Sequence, residues 1–189
     1  MPLLLLLAAF AVLFFYGVAL YNGLVRLRHM VARCWTDIDA LLKQRHEELA
    51  KLVEACRSYS QFDPSLLGQV METRAMLSEA ARAANVGRIG ELESELRSLT
   101  AQIFSQATSS GELLADRQLQ HRLVRISEQE EAIAAHRERY NEAVSNNNVR
   151  IEQLPDLLVA HLCGFRAAQP LQFAEAEKRN LDGHELFTR

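Results

Sequence analysis

The sequence is poor in residues that break helices, having 8 Gly and 4 Pro among its 189 residues. It also lacks runs of alternating β-branched residues bounded by turns, which would indicate strands. Alanine, leucine, glutamate, arginine and glutamine are abundant instead, and these residues favour helix. The composition therefore predicts an all-α chain, long enough for one ordinary domain beyond a membrane segment.

An excess of positive charge is also missing, because the net charge is −3. A nucleic-acid-binding protein needs a clustered basic face, so no nucleic-acid partner is expected. The 3 cysteines are an odd number and are widely spaced. Cys34 and Cys56 fall on one predicted helix, too far apart for a disulfide, which needs Cα atoms within ~7 Å. Reduced thiols suit a cytoplasmic location.

Motifs for catalysis or metal binding are lacking as well. His46-Glu47 resembles the start of a zinc-protease motif, but the second His that the motif requires would fall at Ala50. The other histidines show no ligand spacing with each other or with cysteine. Neither a Gly-rich phosphate loop nor a G-x-S-x-G nucleophile context occurs. We therefore expect no metal, no cofactor and no enzymatic activity.

What the sequence does have is a membrane-length apolar segment. Residues 3–20 carry no charge, and about 18 such residues suffice to cross the hydrocarbon core as a helix. A cleaved signal peptide is the alternative, but its basic first region and its small-x-small cleavage site are missing. Residues 1–20 are therefore predicted to be a transmembrane anchor that contacts lipid through residues 3–20.

The residues that follow the anchor predict its orientation. Arg26, Arg28 and Arg33 come directly after the span, and only the α-amine precedes it. Positive residues flanking a span remain in the cytoplasm. The N-terminus is therefore expected outside, and residues 21–189 in the cytoplasm.

Beyond the anchor, apolar residues recur at steps of three and four, which predicts long helices with coiled-coil-like packing. The first helix is expected to continue to about Gln61. Asp63 and Pro64 then provide a cap and a first-turn proline for the next helix. The apolar pattern shifts phase at residues 85–87, so residues 64–106 form either one kinked helix or two stacked helices.

A third long helix is predicted over residues 115–151, followed by a shorter helix that ends near Gly164. Long segments joined by short loops run antiparallel. The predicted fold class is all-α: an N-terminal transmembrane helix followed by an antiparallel, elongated up-and-down four-helix bundle over residues 21–165. The turns at 61–64 and 151–155 would lie far from the membrane, and the turn at 107–114 near it.

The C-terminal tail, residues 166–189, has no clear helical pattern. Leu171 and Phe173 are apolar and could dock on the bundle. The last residues are expected to fray, as chain termini usually do.

Four charged residues interrupt the apolar seams. An unpaired buried guanidinium is costly, so these residues are expected to form a paired layer between helices. That layer either fixes helix register or forms a basic pocket for an acidic ligand or peptide. In a third interpretation the residues lie at the edge of the bundle in water. The four residues are Arg45, Arg74, Glu130 and Arg137.

A second candidate group lies later in the third long helix. Tyr140 and Asn141 are expected to pack and hydrogen-bond between helices, because a buried tyrosine hydroxyl needs a partner. With Asn148 they are the candidate interhelical or partner-binding residues.

Three stretches resemble the LemA family. The first is YNGLVRLR…VARCWTDIDALLKQRHEELAKLVE, the second is LQHRLVRISEQEEAIAAHRERYNEAV…IEQLPDLLVAHLCGF, and the third, weaker one is VMETRAML. The resemblance covers roughly residues 21–173. It implies a bacterial protein with a single N-terminal membrane segment and an antiparallel helical bundle, and it implies no agreed enzymatic activity. The chain departs from the family pattern at Leu49-Ala50, Phe104-Ser105 and Asn147.

The leading functional hypothesis is a membrane-tethered, non-enzymatic scaffold at the bacterial inner membrane, with an unidentified protein partner. The alternative is a ligand- or anion-binding sensor module that uses the basic layer between helices. Self-association through an uncovered seam stays open, because one chain does not reveal it.

Overall fold

The computed structural model describes residues 2–60, 62–109 and 116–173, and these residues are all-α, as predicted, with no strand among them. The expected fraying beyond residue 173 and most of the predicted 107–114 turn lie outside the described residues. The five helices are α1 (Pro2–Cys56), α2 (Pro64–Arg82), α3 (Val86–Ser109), α4 (Arg117–Glu152) and α5 (Asp156–Cys163).

Helix α1 begins with the apolar segment. It is long and apolar enough to cross a membrane, and its most hydrophobic stretch is not buried within the protein. The leucine and phenylalanine side chains there are exposed, as in Leu5 (72%) and Phe15 (70%). A helix that is apolar on all sides requires an apolar environment. This surface is compatible with a membrane anchor.

The connection from α1 to α2 follows the predicted capping chemistry. Helix α1 ends at Cys56, about one turn before the expected Gln61. Asp63 caps α2 by accepting a hydrogen bond from the backbone N–H of Ser65 (2.8 Å), and Pro64 occupies the first turn. Proline costs nothing there because its missing N–H would have no helical partner.

Residues 83–85 divide the segment whose continuity the sequence left open. Ala84 has a positive φ of 50°, which ends α2. Asn85 then caps α3 by accepting a hydrogen bond from the backbone N–H of Arg88 (3.0 Å). Helices α2 and α3 pack against each other, and so short a connection between packed helices makes them antiparallel neighbours. The segment is therefore two helices side by side.

The described chain forms two compact units. Among the described residues, the anchor unit comprises those of 2–36 and 138–170, and the bundle unit comprises those of 37–137 and 171–173. The bundle unit contains the C-terminal part of α1, all of α2 and α3, and the N-terminal part of α4. These four helical segments enclose an apolar core that includes Ile38, Leu49, Leu52, Val70, Leu96, Ile103 and Ile126.

Two contacts give the direction of α4 within the bundle unit. Arg45 of α1 pairs with Glu130 of α4, and the Tyr59 hydroxyl, just past α1, donates to Asp116, just before α4. Since the numbering rises along one helix while it falls along the other, the helices are antiparallel. The connection to α4 thus ends beside the α1–α2 connection. The sequence pattern predicted the 61–64 turn and the turn before α4 at opposite ends of the bundle. That prediction is wrong, because the chain reverses once more at residues 83–85.

In the anchor unit, α4 runs back along α1. The Trp35 and Tyr140 ring centroids lie 5.4 Å apart, and the Arg150 guanidinium lies against Gly23. The 151–155 turn therefore lies beside the end of the apolar run, whereas the sequence pattern predicted it far from that run. The extra reversal between α2 and α3 is again the reason.

Helix α5 closes the anchor unit. Leu24, Ile151 and Ala160 form a small buried cluster, against which Phe165 packs. Gly164 ends the helix with a left-handed φ of 71°, as predicted for a C-cap.

Candidate functional site: a charged layer in the bundle unit

Arg45 is the centre of a buried charged layer. Its side chain leaves α1 and is 1% exposed. One guanidinium nitrogen donates to Glu93 of α3, and the other donates to Glu130 of α4 at 2.5 Å. Both carboxylates are buried. The rigid fork of an arginine suits two carboxylates at once, so one side chain ties three helices together.

Two more residues complete the layer. His46 Nε2 lies 3.0 Å from the second oxygen of Glu93, and Arg97 Nε lies 3.7 Å from the second oxygen of Glu130. We define the charged layer as Arg45, His46, Glu93, Arg97 and Glu130. Its two guanidinium groups balance its two carboxylates.

His46 adds no charge to this balance. Burial, together with the positive charges of Arg45 and Arg74, lowers the pKa of His46 to about 3. A neutral imidazole that faces a carboxylate donates through Nε2. The layer is therefore electrically neutral near pH 7, and the oxygens of Glu93 are both engaged.

The sequence pattern did not single out Glu93 or Arg97. Along α3 the apolar residues Ile89, Leu92 and Leu96 recur at steps of three and four, and Glu93 adjoins this seam. Four residues after Ile89 and three before Leu96, Glu93 shares their face of the helix. That spacing, with Arg97 one turn later, is the signal that could have identified both.

The other two seam arginines have different surroundings. Arg74 on α2 is half-buried, and one guanidinium nitrogen lies 3.2 Å from Met71 Sδ. Its Nε has no hydrogen-bond partner among the described residues, and burial lowers its pKa. The Arg137 guanidinium lies 4.4 Å above the centroid of the Phe173 ring. Of the four predicted residues, Arg45 and Glu130 form a direct ion pair. Arg74 and Arg137 have the other surroundings described above.

A second charged group connects α1 and α4 at the edge of the bundle unit. The Glu48 carboxylate lies 2.9 Å from Lys51 Nζ, 3.6 Å from Arg122 and 3.9 Å from Arg125. The hydrogen bond from Lys51 is the largest of several effects that lower the pKa of Glu48. Lys51 and Arg125 are about half-exposed and Arg122 is 31% exposed, so the group stabilises the bundle less than the charged layer does.

The start of the tail docks on the bundle unit, as the sequence predicted. The Leu171 side chain is fully buried. A Cβ atom at Gly90 of α3 would overlap the backbone carbonyl group of Gln172, so glycine is required by the close approach of the chain. The Arg137 guanidinium lies over the Phe173 ring, which is a cation–π contact.

In the anchor unit, the second candidate group holds the residues that precede this docked segment. The Tyr140 hydroxyl donates to the carbonyl oxygen of Gln169 at 2.8 Å. The Asn148 amide forms two 2.9 Å hydrogen bonds with Ala168, donating to its C=O and accepting from its N–H. Asn141 is half-buried on the same helix. Tyr140 and Asn148 therefore bind the chain's own C-terminal segment.

Cys56, at the end of α1, is fully buried in the bundle unit. Burial raises the pKa of its thiol to about 12, so the group remains protonated. Among residues 2–60, 62–109 and 116–173, no group of three or more His, Cys, Asp or Glu side chains could hold a metal ion. The charged groups of the layer are directed at one another, an arrangement suited to fixing helix positions.

Comparison with protein families agrees with this geometry. The model of the LemA family matches residues 34–182, which include the whole charged layer and the residues that bind the tail. The chain belongs to the LemA family. LemA membership agrees with the all-helical fold and supplies no specific molecular activity. A comparison with curated proteins found no match.

Proposed function

We propose that this LemA-family chain is a membrane-tethered scaffold without enzymatic activity, located in the bacterial inner membrane. The observation that carries the proposal is helix α1, which contains both the exposed apolar run and, further along, Arg45 of the charged layer. A single helix that is apolar on every side and then amphipathic is suited to joining a lipid anchor to a folded unit.

The mechanism we propose is presentation of a protein-binding surface. The charged layer fixes α1, α3 and α4 in one arrangement, so the exposed faces of the bundle unit keep a defined geometry. Tethering confines that surface to the membrane and raises its effective concentration for a partner that is also there. Arg26, Arg28 and Arg33 support the N-terminus outside and the bundle in the cytoplasm.

Thiol labelling in cells tests the topology. In a background without Cys34, Cys56 and Cys163, the exposed residue Glu54 is changed to cysteine and treated with an impermeant maleimide. We expect labelling only after the inner membrane is permeabilised. Labelling of intact cells would overturn the orientation. Release of the chain by alkaline carbonate would overturn the anchor itself.

Site-specific photo-crosslinking tests the scaffold. A photoreactive residue at exposed Glu54 or Glu95 should give a discrete protein adduct in cells. The adduct should disappear in a Leu7→Arg/Leu13→Arg chain, which removes the apolar span, at equal protein level. Adducts that persist without the anchor would contradict tethered presentation. A turnover that is lost in Glu130→Gln would contradict the absence of enzymatic activity.

The second candidate function is anion binding, and Arg74 is the observation that favours it. Its half-buried guanidinium has an Nε without a partner among the described residues, and its charge lies close enough to lower the pKa of His46. Phosphate titration by calorimetry tests the proposal. Salt-sensitive binding that is lost in Arg74→Gln and kept in Arg82→Gln would support it, and heat changes equal in all three proteins would dismiss it.

A further inference from the structure

Helix α5 exposes large apolar side chains where a soluble surface would carry polar ones. The exposed fraction is 61% for Leu158 and 84% for Leu162, and Leu154 in the preceding turn is 72% exposed. Leu158 and Leu162 are four residues apart in α5, so they share one side of the helix. Leu157 adds a partly exposed side chain next to them. Clustered exposed leucines of this kind mark a binding surface.

The position of this surface indicates what covers it. Ala160 on the opposite side of α5 packs with Leu24 and Ile151, and the Phe165 ring lies 5.8 Å from the Tyr21 ring. Leu24 and Tyr21 come directly after the apolar run of α1. Helix α4 approaches that run in the antiparallel direction and ends at Glu152 beside it. The exposed leucines of α5 therefore lie next to the end of the apolar run.

The charges of the same region agree with an anionic lipid surface. Arg26, Arg28 and Arg166 are exposed in the anchor unit. The carboxylate of Asp156 is buried and paired with Arg150 at 3.0 Å, which leaves Glu152 as the exposed acidic residue next to α5. Arginines next to the end of a membrane span are attracted to anionic lipid headgroups.

We propose that α5 and the turn before it lie in the headgroup region of the bilayer, with Leu154, Leu158 and Leu162 directed into the lipid. The chain would then contact the membrane twice, through the span of α1 and through an interfacial helix held against its end. This inference rests on the anchor of the proposed function. The occupant of the leucine surface is lipid, because the other side of α5 packs beside the end of the apolar run.

Spin-label accessibility in reconstituted vesicles tests the inference. The full chain, without its native cysteines, carries a single nitroxide at Leu158 in vesicles of phosphatidylethanolamine and phosphatidylglycerol. A label at Leu13 reports the span, and a label at exposed Arg139, three turns from the end of α4, is the aqueous control. Collisions with oxygen report lipid, and collisions with a water-soluble nickel chelate report water.

We expect the label at Leu158 to favour oxygen over the chelate several-fold more than the label at Arg139 does. The preference should diminish in Leu154→Ser/Leu162→Ser, which keeps the buried side of α5. A water-accessible label at Leu158 with a lipid-exposed label at Leu13 would overturn the interfacial helix and leave the anchor intact. Water access at Leu13 would overturn the anchor. Protection of Leu158 from both reagents would show that a protein surface covers α5, and would also overturn the proposal.

Discussion

The charged layer of the bundle unit and the Tyr140 and Asn148 contacts of the anchor unit are built from different kinds of interaction. In the bundle unit, the buried contacts of the charged layer are ionic and join side chains on α1, α3 and α4. In the anchor unit, Tyr140 and Asn148 form neutral hydrogen bonds to the backbone of an irregular segment. Ion pairs between side chains suit the joining of helices, and hydrogen bonds to backbone suit the binding of an irregular segment. The interior of a helix has no spare backbone groups, whereas an irregular segment presents N–H and C=O groups that must be paired.

This difference indicates where each unit is vulnerable. A buried carboxylate that loses its guanidinium is an uncompensated charge, which is far costlier than a lost neutral hydrogen bond. Disruption of the bundle unit should therefore be global, and disruption at Asn148 should be local. The following changes test that expectation by urea unfolding of the full chain in a mild detergent unless another measurement is named.

Arg45→Leu should have the largest effect, because it leaves Glu93 and Glu130 buried without their main partner. We expect a loss of about 3–5 kcal/mol in the free energy of unfolding. Arg45→Leu/Glu93→Leu should recover much of that loss, since Glu130 retains Arg97. If the free energy of unfolding of Arg45→Leu is within about 1 kcal/mol of the wild-type value, the charged layer is solvated.

Gly90→Ala should come next, because the added Cβ overlaps the backbone of Gln172. Overpacking against backbone costs about 3 kcal/mol unless the tail moves away. Gly68→Ala is the matched control: it has open space in α2 and should stabilise by about 1 kcal/mol through helix propensity. If the two substitutions shift stability alike, the tail does not dock on α3.

Acidification should weaken the bundle unit through His46. Its pKa falls from 6.5 to about 3 on folding, so between these values the unfolded chain binds the extra proton. Stability is therefore fully present above about pH 6.5 and is lost as the pH falls toward 3. From pH 7 to 5 the loss should be about 2 kcal/mol greater in the wild type than in His46→Gln. His121→Gln, an exposed control, should behave like the wild type; equal pH dependence in all three would contradict the buried neutral imidazole.

Asn148→Ala should have the smallest effect, because it removes two neutral hydrogen bonds to Ala168. We expect a loss of roughly 1–2 kcal/mol and faster amide hydrogen exchange at Ala168, with exchange in α2 and α3 unchanged. Asn146→Ala, at an exposed position of the same helix, should change neither. Faster exchange throughout the bundle unit would show that the two kinds of contact are coupled.

Local signals in the sequence were sufficient for much of the fold. The apolar run, the helical composition and the Asp63-Pro64 and Gly164 signals depend on neighbours in sequence, so they could be predicted from it. The direction of the later helices could not. It depends on the reversal at residues 83–85, where Ala84 adopts a positive φ. Alanine rarely adopts that conformation, so its presence does not indicate a turn.

The candidate site was predictable in part for the same reason. Arg45 and Glu130 interrupt apolar seams, so a pairing between helices was foreseeable, whereas Glu93 adjoins a complete seam of leucines and was overlooked. The contacts of Tyr140 and Asn148 involve an irregular segment without periodicity. No spacing rule connects Asn148 with Ala168, because their pairing depends on how the tail folds back.

Buried Cys56 gives the molecule an internal reporter of opening that can be read in whole cells. With its pKa raised to about 12, the thiol is almost never ionised in the folded state, and thiol reagents attack the ionised form. In a chain whose other two cysteines are replaced by serine, modification at residue 56 would register each excursion that exposes the end of α1. With a reagent that reacts faster than the opened unit recloses, the rate of that modification in whole cells would measure the lifetime of the folded bundle unit without detergent or denaturant.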